Sequence, residues 1–131
     1  MKKVLVGGVF SILHPGHVAF LKKAKRYGDK LIVIVASDKT AKKKGKNIFS
    51  AKERAEIIAS LKFVDKVYIG DSEDRTKLLK RIRPDVIVLG YDQRLDDKML
   101  KIVRDLGCKI VKIKKLTKHS STKIIKKIRK G

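Results

Sequence analysis

The chain predicts an α/β fold: a doubly wound parallel sheet of five strands in the order 3-2-1-4-5, with helices on both faces. Two observations carry this. Short runs rich in Val, Ile and Leu alternate with helical patterns along the whole sequence, which argues for right-handed βαβ units. Several of those runs are also nearly continuous in apolar residues, as strands covered on both faces must be. With 131 residues there is room for a single domain, residues 1–131, and a chain near this size buries roughly two thirds of its unfolded surface. No internal repeat, linker or second domain is visible.

Taken in order, Lys3 to Val6 has strand composition. A helix is expected from Pro15 to near Tyr27, with Val18, Leu21 and Ala24 on one side and Gly28 ending it. Lys30 to Ala36 reads as a buried strand. Ser37 to Asn47 holds five lysines, Gly45 and little periodicity, which suggests a mobile loop. Ser50-x-x-Glu53 makes a capping box for a helix reaching to about Leu61. Val67 to Ile69 is a short strand, Arg75 to Arg83 a helix, Asp85 to Leu89 a strand, Asp96 to Leu106 a helix and Lys109 to Ile113 the fifth strand. A last helix runs from Ser121 or Thr122 to Lys130. Ligands of such sheets bind beyond the carboxyl ends of the strands, where the strand order reverses. The crevice beside strand one is therefore the expected site.

Lys and Arg number 35 against 13 Asp and Glu, a net charge of +22. Nucleic acid is the obvious rival partner for so basic a chain. The basic residues are scattered over every expected helix, however, and aromatics make up only 5%, so stacking platforms for bases are scarce. The charge reads as a solvated surface whose field draws in anionic substrates, with incidental nucleic-acid binding at low salt. A non-catalytic nucleic-acid-binding module remains the alternative from another class. No stretch approaches the 18 or more apolar residues of a membrane span, and the start has no signal-peptide pattern, so the expectation is cytoplasmic with no membrane partner. The single cysteine, Cys108, cannot build an internal disulfide framework and reads as structural.

The densest signal is Gly7-Gly8-Val9-Phe10-Ser11-Ile12-Leu13-His14-Pro15-Gly16-His17, lying where the first strand gives way to the first helix. Gly7 and Gly8 let the backbone turn and approach a ligand, and Pro15 suits a first helical turn, whose N–H groups have no internal partner. On a helix, positions three apart share a face, so His14 and His17 are expected to present ring N–H donors to one group near the positive end of the helix dipole. A polyphosphate is the natural guest. Neither His119 nor Cys108 stands at zinc-type spacing from the pair, so no residue is assigned as a metal ligand. The segment is neither a Walker A loop nor a Gly-x-Gly-x-x-Gly fingerprint.

This segment resembles the Gly-x-Phe-Asp-x-x-His-x-Gly-His signature of the cytidylyltransferase-like nucleotidyltransferases. They join a nucleoside monophosphate to a phosphate ester, release pyrophosphate and have a Rossmann-like fold. A second element, Ser120-Ser121-Thr122-Lys123-Ile124-Ile125, is similar to the Ser/Thr-rich turn that opens the family's last helix, so the likeness spans essentially the whole chain. Gly90-Tyr91-Asp92-Gln93 after a buried strand, together with the ending Ser-Thr-Lys-Ile-Ile-Lys-Lys-Ile, looks most like the archaeal FAD synthetases. The bacterial glycerol-3-phosphate cytidylyltransferases come next. The resemblance implies AMP transfer from ATP to FMN, or alternatively CTP-dependent transfer to glycerol 3-phosphate or another small phosphate ester, by a homodimer.

The resemblance also implies roles. His14 and His17 would bond the triphosphate and its transition state, with Gly8, Val9, Phe10 and Gly16 shaping the nucleotide site. Lys44 and Lys46 lie where similar enzymes set a lysine against the phosphates. Ser120, Ser121 and Thr122 offer hydroxyls and amides to phosphate, or form an ordinary helix cap. Gly90, Tyr91, Asp92 and Gln93 leave strand four at the carboxyl edge; Asp92 is placed for ribose hydroxyls or a metal-bound water, although such a turn needs no ligand to explain it. Arg54 matches a family arginine and equally fits an exposed helical Arg. Ser11 stands where the family usually carries an Asp that helps hold Mg²⁺. A divalent cation, Mg²⁺ or Co²⁺, is then expected to arrive chelated by the nucleotide. The cysteine often seen before the Ser-Thr turn is replaced by Lys118 and His119.

Overall fold

A computed structural model describes residues 1–70, 74 and 76–114. The strands are β1 (Lys3–Gly8), β2 (Lys30–Val35), β3 (Lys66–Ile69), β4 (Val86–Leu89) and β5 (Lys109–Lys112). They form one parallel sheet ordered β3-β2-β1-β4-β5, the order expected. Between them lie α1 (Pro15–Lys25), α2 (Asp38–Lys43), α3 (Ala51–Ala59), α4 (Thr76–Ile82) and α5 (Asp97–Leu106). The expected last helix and the Ser120–Thr122 turn lie outside the described residues.

Side-chain alternation along the strands splits the core in two. Val4, Val6, Leu31, Val33 and Val35 point toward α1 and α3, where they meet Leu21, Ala24 and Ile58. Leu5, Ile32 and Ile87 point the other way, against Leu79, Ile82 and Val103 of α4 and α5. Both faces of the central strands are thus buried, which explains their unbroken apolar composition. The amino ends are pinned by aspartates: Asp29 accepts from Lys2 N–H at 2.7 Å, Asp65 from Leu31 N–H at 2.8 Å and Asp85 from Lys3 N–H at 2.8 Å. The carboxyl ends are left for chemistry.

Three expectations change. The lysine-rich segment after β2 is not an irregular loop, since Asp38–Lys43 is helical, with Ser37 Oγ capping Thr40 N–H at 3.2 Å. Its end closes with Gly45 at φ 65, Gly45 N–H bonding Lys42 C=O at 3.0 Å and Lys46 N–H bonding Ala41 C=O at 2.9 Å, a Schellman arrangement. Only Ala41 of this helix is buried, so no apolar stripe announced it. α1 stops at Lys25 and Gly28 has another duty: a Cβ there would stand 2.7 Å from Val4 Cγ2 and 2.8 Å from Lys2 O. Finally, Arg54 is not an exposed helical residue; it is fully buried.

Candidate active site

A crevice of about 810 Å³ opens at the carboxyl edge of the sheet and spans the gap where the order reverses between β1 and β4. It gathers Gly8, Val9, Phe10, His14, Gly16, His17, Lys44, Lys46, Gly90, Tyr91, Asp92 and Gln93. Segments more than eighty residues apart in sequence thus line one cavity. The Ser120, Ser121 and Thr122 expectations fall outside the described residues.

The histidines adopt a tighter arrangement than two donors side by side. Their rings stack at 3.7 Å between centroids and 24° between planes. His14 is the N-cap of α1, a place usually held by Ser, Thr, Asp or Asn, and its Nδ1 accepts from Gly16 N–H at 3.0 Å. That bond fixes the neutral tautomer, with the proton on Nε2. His17 Nδ1 reaches back to His14 N–H at 3.4 Å, completing a capping box built from imidazoles. No acidic residue occupies the first turn of α1, so the positive end of its dipole is not countered from within the helix. Burial foremost, then electrostatic coupling to the stacked His14 and to Lys46, pushes the His17 pKa down to about 4 against the upward pull of the Ile12 carbonyl. At neutral pH His17 is therefore uncharged, and with Nδ1 accepting from the His14 amide its ring proton lies on Nε2.

The turn before α1 is strained and held from three sides. Phe10 has φ 51, a left-handed value that a bulky residue rarely adopts. Its ring is buried, sits edge-on to His17 at 5.2 Å, and leaves room only for a glycine at position 8, where a Cβ would meet Phe10 Cε2 at 3.0 Å. From α3, Arg54 Nη1 donates to Val9 C=O at 2.7 Å and its Nε to Phe49 C=O at 3.0 Å. Its Nη2 lies 3.6 Å from Asp38 Oδ1, an ion pair rather than a hydrogen bond, and Asp38 in turn accepts from Ala51 N–H at 2.7 Å. Burial lowers the Arg54 pKa and Asp38 opposes that shift; the guanidinium stays charged at any physiological pH.

Ser11 supplies the third tether. Its side chain is 1% exposed and its Oγ donates to Lys46 C=O at 2.6 Å. The residue standing in place of the family aspartate thus binds the turn after α2 to the turn before α1. Lys44 is exposed and Lys46 half-buried at the crevice wall. Across the switch, Gln93 Nε2 donates to Gly7 C=O at 2.7 Å and its Oε1 accepts from Gly90 N–H at 2.8 Å. Its amide stitches the loop after β4 to the end of β1, whereas Tyr91 and Asp92 remain exposed at the rim. Among the described residues no group of three or more His, Cys, Asp or Glu side chains forms a metal site. Cys108, its thiol donating to Pro84 C=O at 2.9 Å and its pKa raised chiefly by burial, lies outside the crevice.

Residues 5–127 match the cytidylyltransferase-like family. The chain is 44% identical to the FAD synthase of Archaeoglobus profundus, over 98% of this chain and 86% of that one. It is 47% identical to the FAD synthase of Pyrococcus abyssi, over 96% and 91% respectively. Among solved structures it resembles the lipopolysaccharide core biosynthesis protein of Thermoplasma volcanium, with TM-score 0.81 and 42% identity, covering 89% of this chain and 99% of the other. A pantoate-beta-alanine ligase from Francisella tularensis, at TM-score 0.65 and 19% identity over 95% of this chain and 65% of its own, shares the fold alone.

Proposed function

The chain belongs to the cytidylyltransferase-like family, and from that premise we propose that it is an ATP:FMN adenylyltransferase that makes FAD. The likeness to FAD synthases across 98% of the chain is the observation that carries the choice of substrates. The geometry accounts for the chemistry. An oxygen of the FMN phosphate attacks the α-phosphorus of ATP, a new P–O bond forms, and the bond to the β-phosphate breaks to release pyrophosphate. The attacking oxygen is ionised at neutral pH, so the chain contributes alignment and charge stabilisation rather than a base.

In this reading His14 and His17 donate to the triphosphate as negative charge grows toward the leaving pyrophosphate. The amides at the mouth of α1 serve the same anion. Lys44 and Lys46 neutralise it from the α2 turn, and Gly8, Val9, Phe10 and Gly16 give the backbone close approach. Gly90, Tyr91 and Asp92 meet the nucleoside, held in place by Gln93. The described residues do not build a metal cage, and the divalent cation, Mg²⁺ or Co²⁺, arrives chelated by the nucleotide as part of the substrate.

The enzyme works as one domain in the cytoplasm; among the described residues no helix is long and apolar enough to cross a membrane. A homodimer accompanies this reading, to be checked by sedimentation. The deciding experiment incubates the protein with ATP or CTP, Mg²⁺ or Co²⁺, and FMN or glycerol 3-phosphate, following pyrophosphate and product. FAD from ATP and FMN is expected; CDP-glycerol instead would move the chain to the cytidylyltransferases.

A further inference from the structure

The crevice has two unlike halves. The phosphate-handling groups His14, His17 and the Lys44–Lys46 turn sit around the end of β1 on the α1 side of the sheet. On the opposite side, toward α4 and α5, the wall is made of Ile34, Leu78, Leu89, Leu95 and Met99. All five are only partly buried although they pack against the apolar core beneath. At its edge stands Gly70, where a Cβ would come within 3.3 Å of Ile34 Cγ2 and 3.5 Å of Val35 O, so the absence of a side chain keeps this corner open. Among the described residues, these five side chains of methyl groups and one thioether offer no hydrogen-bond donor to a sugar, a polyol or the edge of a nucleobase.

We propose that this apolar pouch is the seat of the acceptor's flavin ring, with Ile34, Leu78, Leu95 and Met99 as the residues that select an aromatic acceptor over a polyol phosphate. The proposal rests on the adenylyltransferase reading above and adds to it where the acceptor lies. Its two substrates meet at one phosphorus beside the histidines, so they must leave that point in different directions. Adenine needs hydrogen bonds at its edge, which the polar turn Gly90–Gln93 can supply and the pouch cannot. The dimethylbenzene edge of a flavin is apolar and gains by leaving water. Glycerol phosphate has no such surface, and in this pouch its hydroxyls would lose water without finding partners.

The test uses the full chain and the substitutions Leu78→Gln and Met99→Gln, each placing an amide against the ring. Each is expected to raise KM for FMN at least tenfold and to leave KM for ATP within twofold. Riboflavin, which has the ring without the phosphate, is expected to inhibit the unaltered enzyme in competition with FMN and not with ATP. That measurement decides independently of whether either variant folds. If FAD forms but KM for FMN is unmoved in both folded variants, or if riboflavin competes with ATP, the pouch assignment is overturned and the enzyme assignment stands. If the unaltered protein makes no FAD from ATP and FMN, the acceptor reading falls and the pouch assignment falls with it.

Discussion

At the scale of single residues, the two imidazoles are the part of the site most plainly written in the sequence, because a Gly-rich strand end followed by His-Pro-Gly-His has few other physical uses. Replacing either by Ala should lower kcat by roughly a hundredfold or more, since comparable oxyanion donors are worth about 3 kcal/mol; steady-state rates in which both variants stay near normal would remove the histidines from the mechanism. His17 also gives a pH signature. Its folded pKa, about 4, lies below the unfolded value of 6.5, so the unfolded chain takes up a proton first as pH falls. His17 therefore leaves stability level above the unfolded pKa and erodes it from there down to the folded pKa. In denaturant midpoints measured across that range, His17→Gln should flatten the decline; an unchanged slope would count against the buried neutral ring. Arg54 was far less legible. Its partner Val9 is 45 positions away in sequence, and no local pattern tells an Arg that reaches into a turn from one that reaches into water. Arg54→Ala empties a fully buried site and removes the donors to the Val9 and Phe49 carbonyls, and should cost about 3 kcal/mol in chemical denaturation; a loss within experimental error would show that the strained Phe10 turn holds itself.

At the scale of elements, the five strands and their order follow from apolar runs that both faces of the sheet require, and helices α3 and α5 from caps that can be read directly. Ser50 and Glu53 do bond each other's backbone, and Asp96 caps Met99 N–H at 2.8 Å. The short α2 has no apolar stripe to read, because Ala41 is its one buried residue while its other faces carry lysines. The usable signals were Ser37 at one end and Gly45 at the other. That helix is what aims the lysines, so its terminal glycine becomes a test. Gly45 at φ 65 and Gly107 at φ 72 share the same left-handed conformation, and Ala at either should cost about 1 kcal/mol of stability. Gly107 closes α5 just before β5, at the amino end of the sheet, so only Gly45→Ala should also raise KM for ATP severalfold. Equal kinetic effects at the two sites would separate the α2 turn from phosphate binding.

At the scale of the whole molecule, the net charge of +22 sets the environment in which the crevice works rather than its chemistry. Long-range attraction for anions is screened within about 8 Å at physiological salt, whereas contacts inside the crevice are not. Binding to a DNA duplex should therefore weaken on the order of a thousandfold between about 50 and 200 mM salt, while the preference for ATP over CTP persists; a preference that vanished with salt would favour a nucleic-acid-binding role. The fold could be read from the sequence because parallel strands advertise themselves, and the location of the site because a doubly wound sheet has one switch point. What remained hidden was long-range: the tether from Ser11 to Lys46, the brace from Arg54, and the apolar half of the crevice, each made by residues that meet only after the sheet is assembled. Product formation by the purified chain given ATP, Mg²⁺ and FMN is the decisive measurement. Stoichiometric FAD and pyrophosphate, formed at roughly a hundredth of the rate or less by His14→Ala and His17→Ala, is the result predicted; no FAD with this pair of substrates, or undiminished rates in both variants, would contradict it.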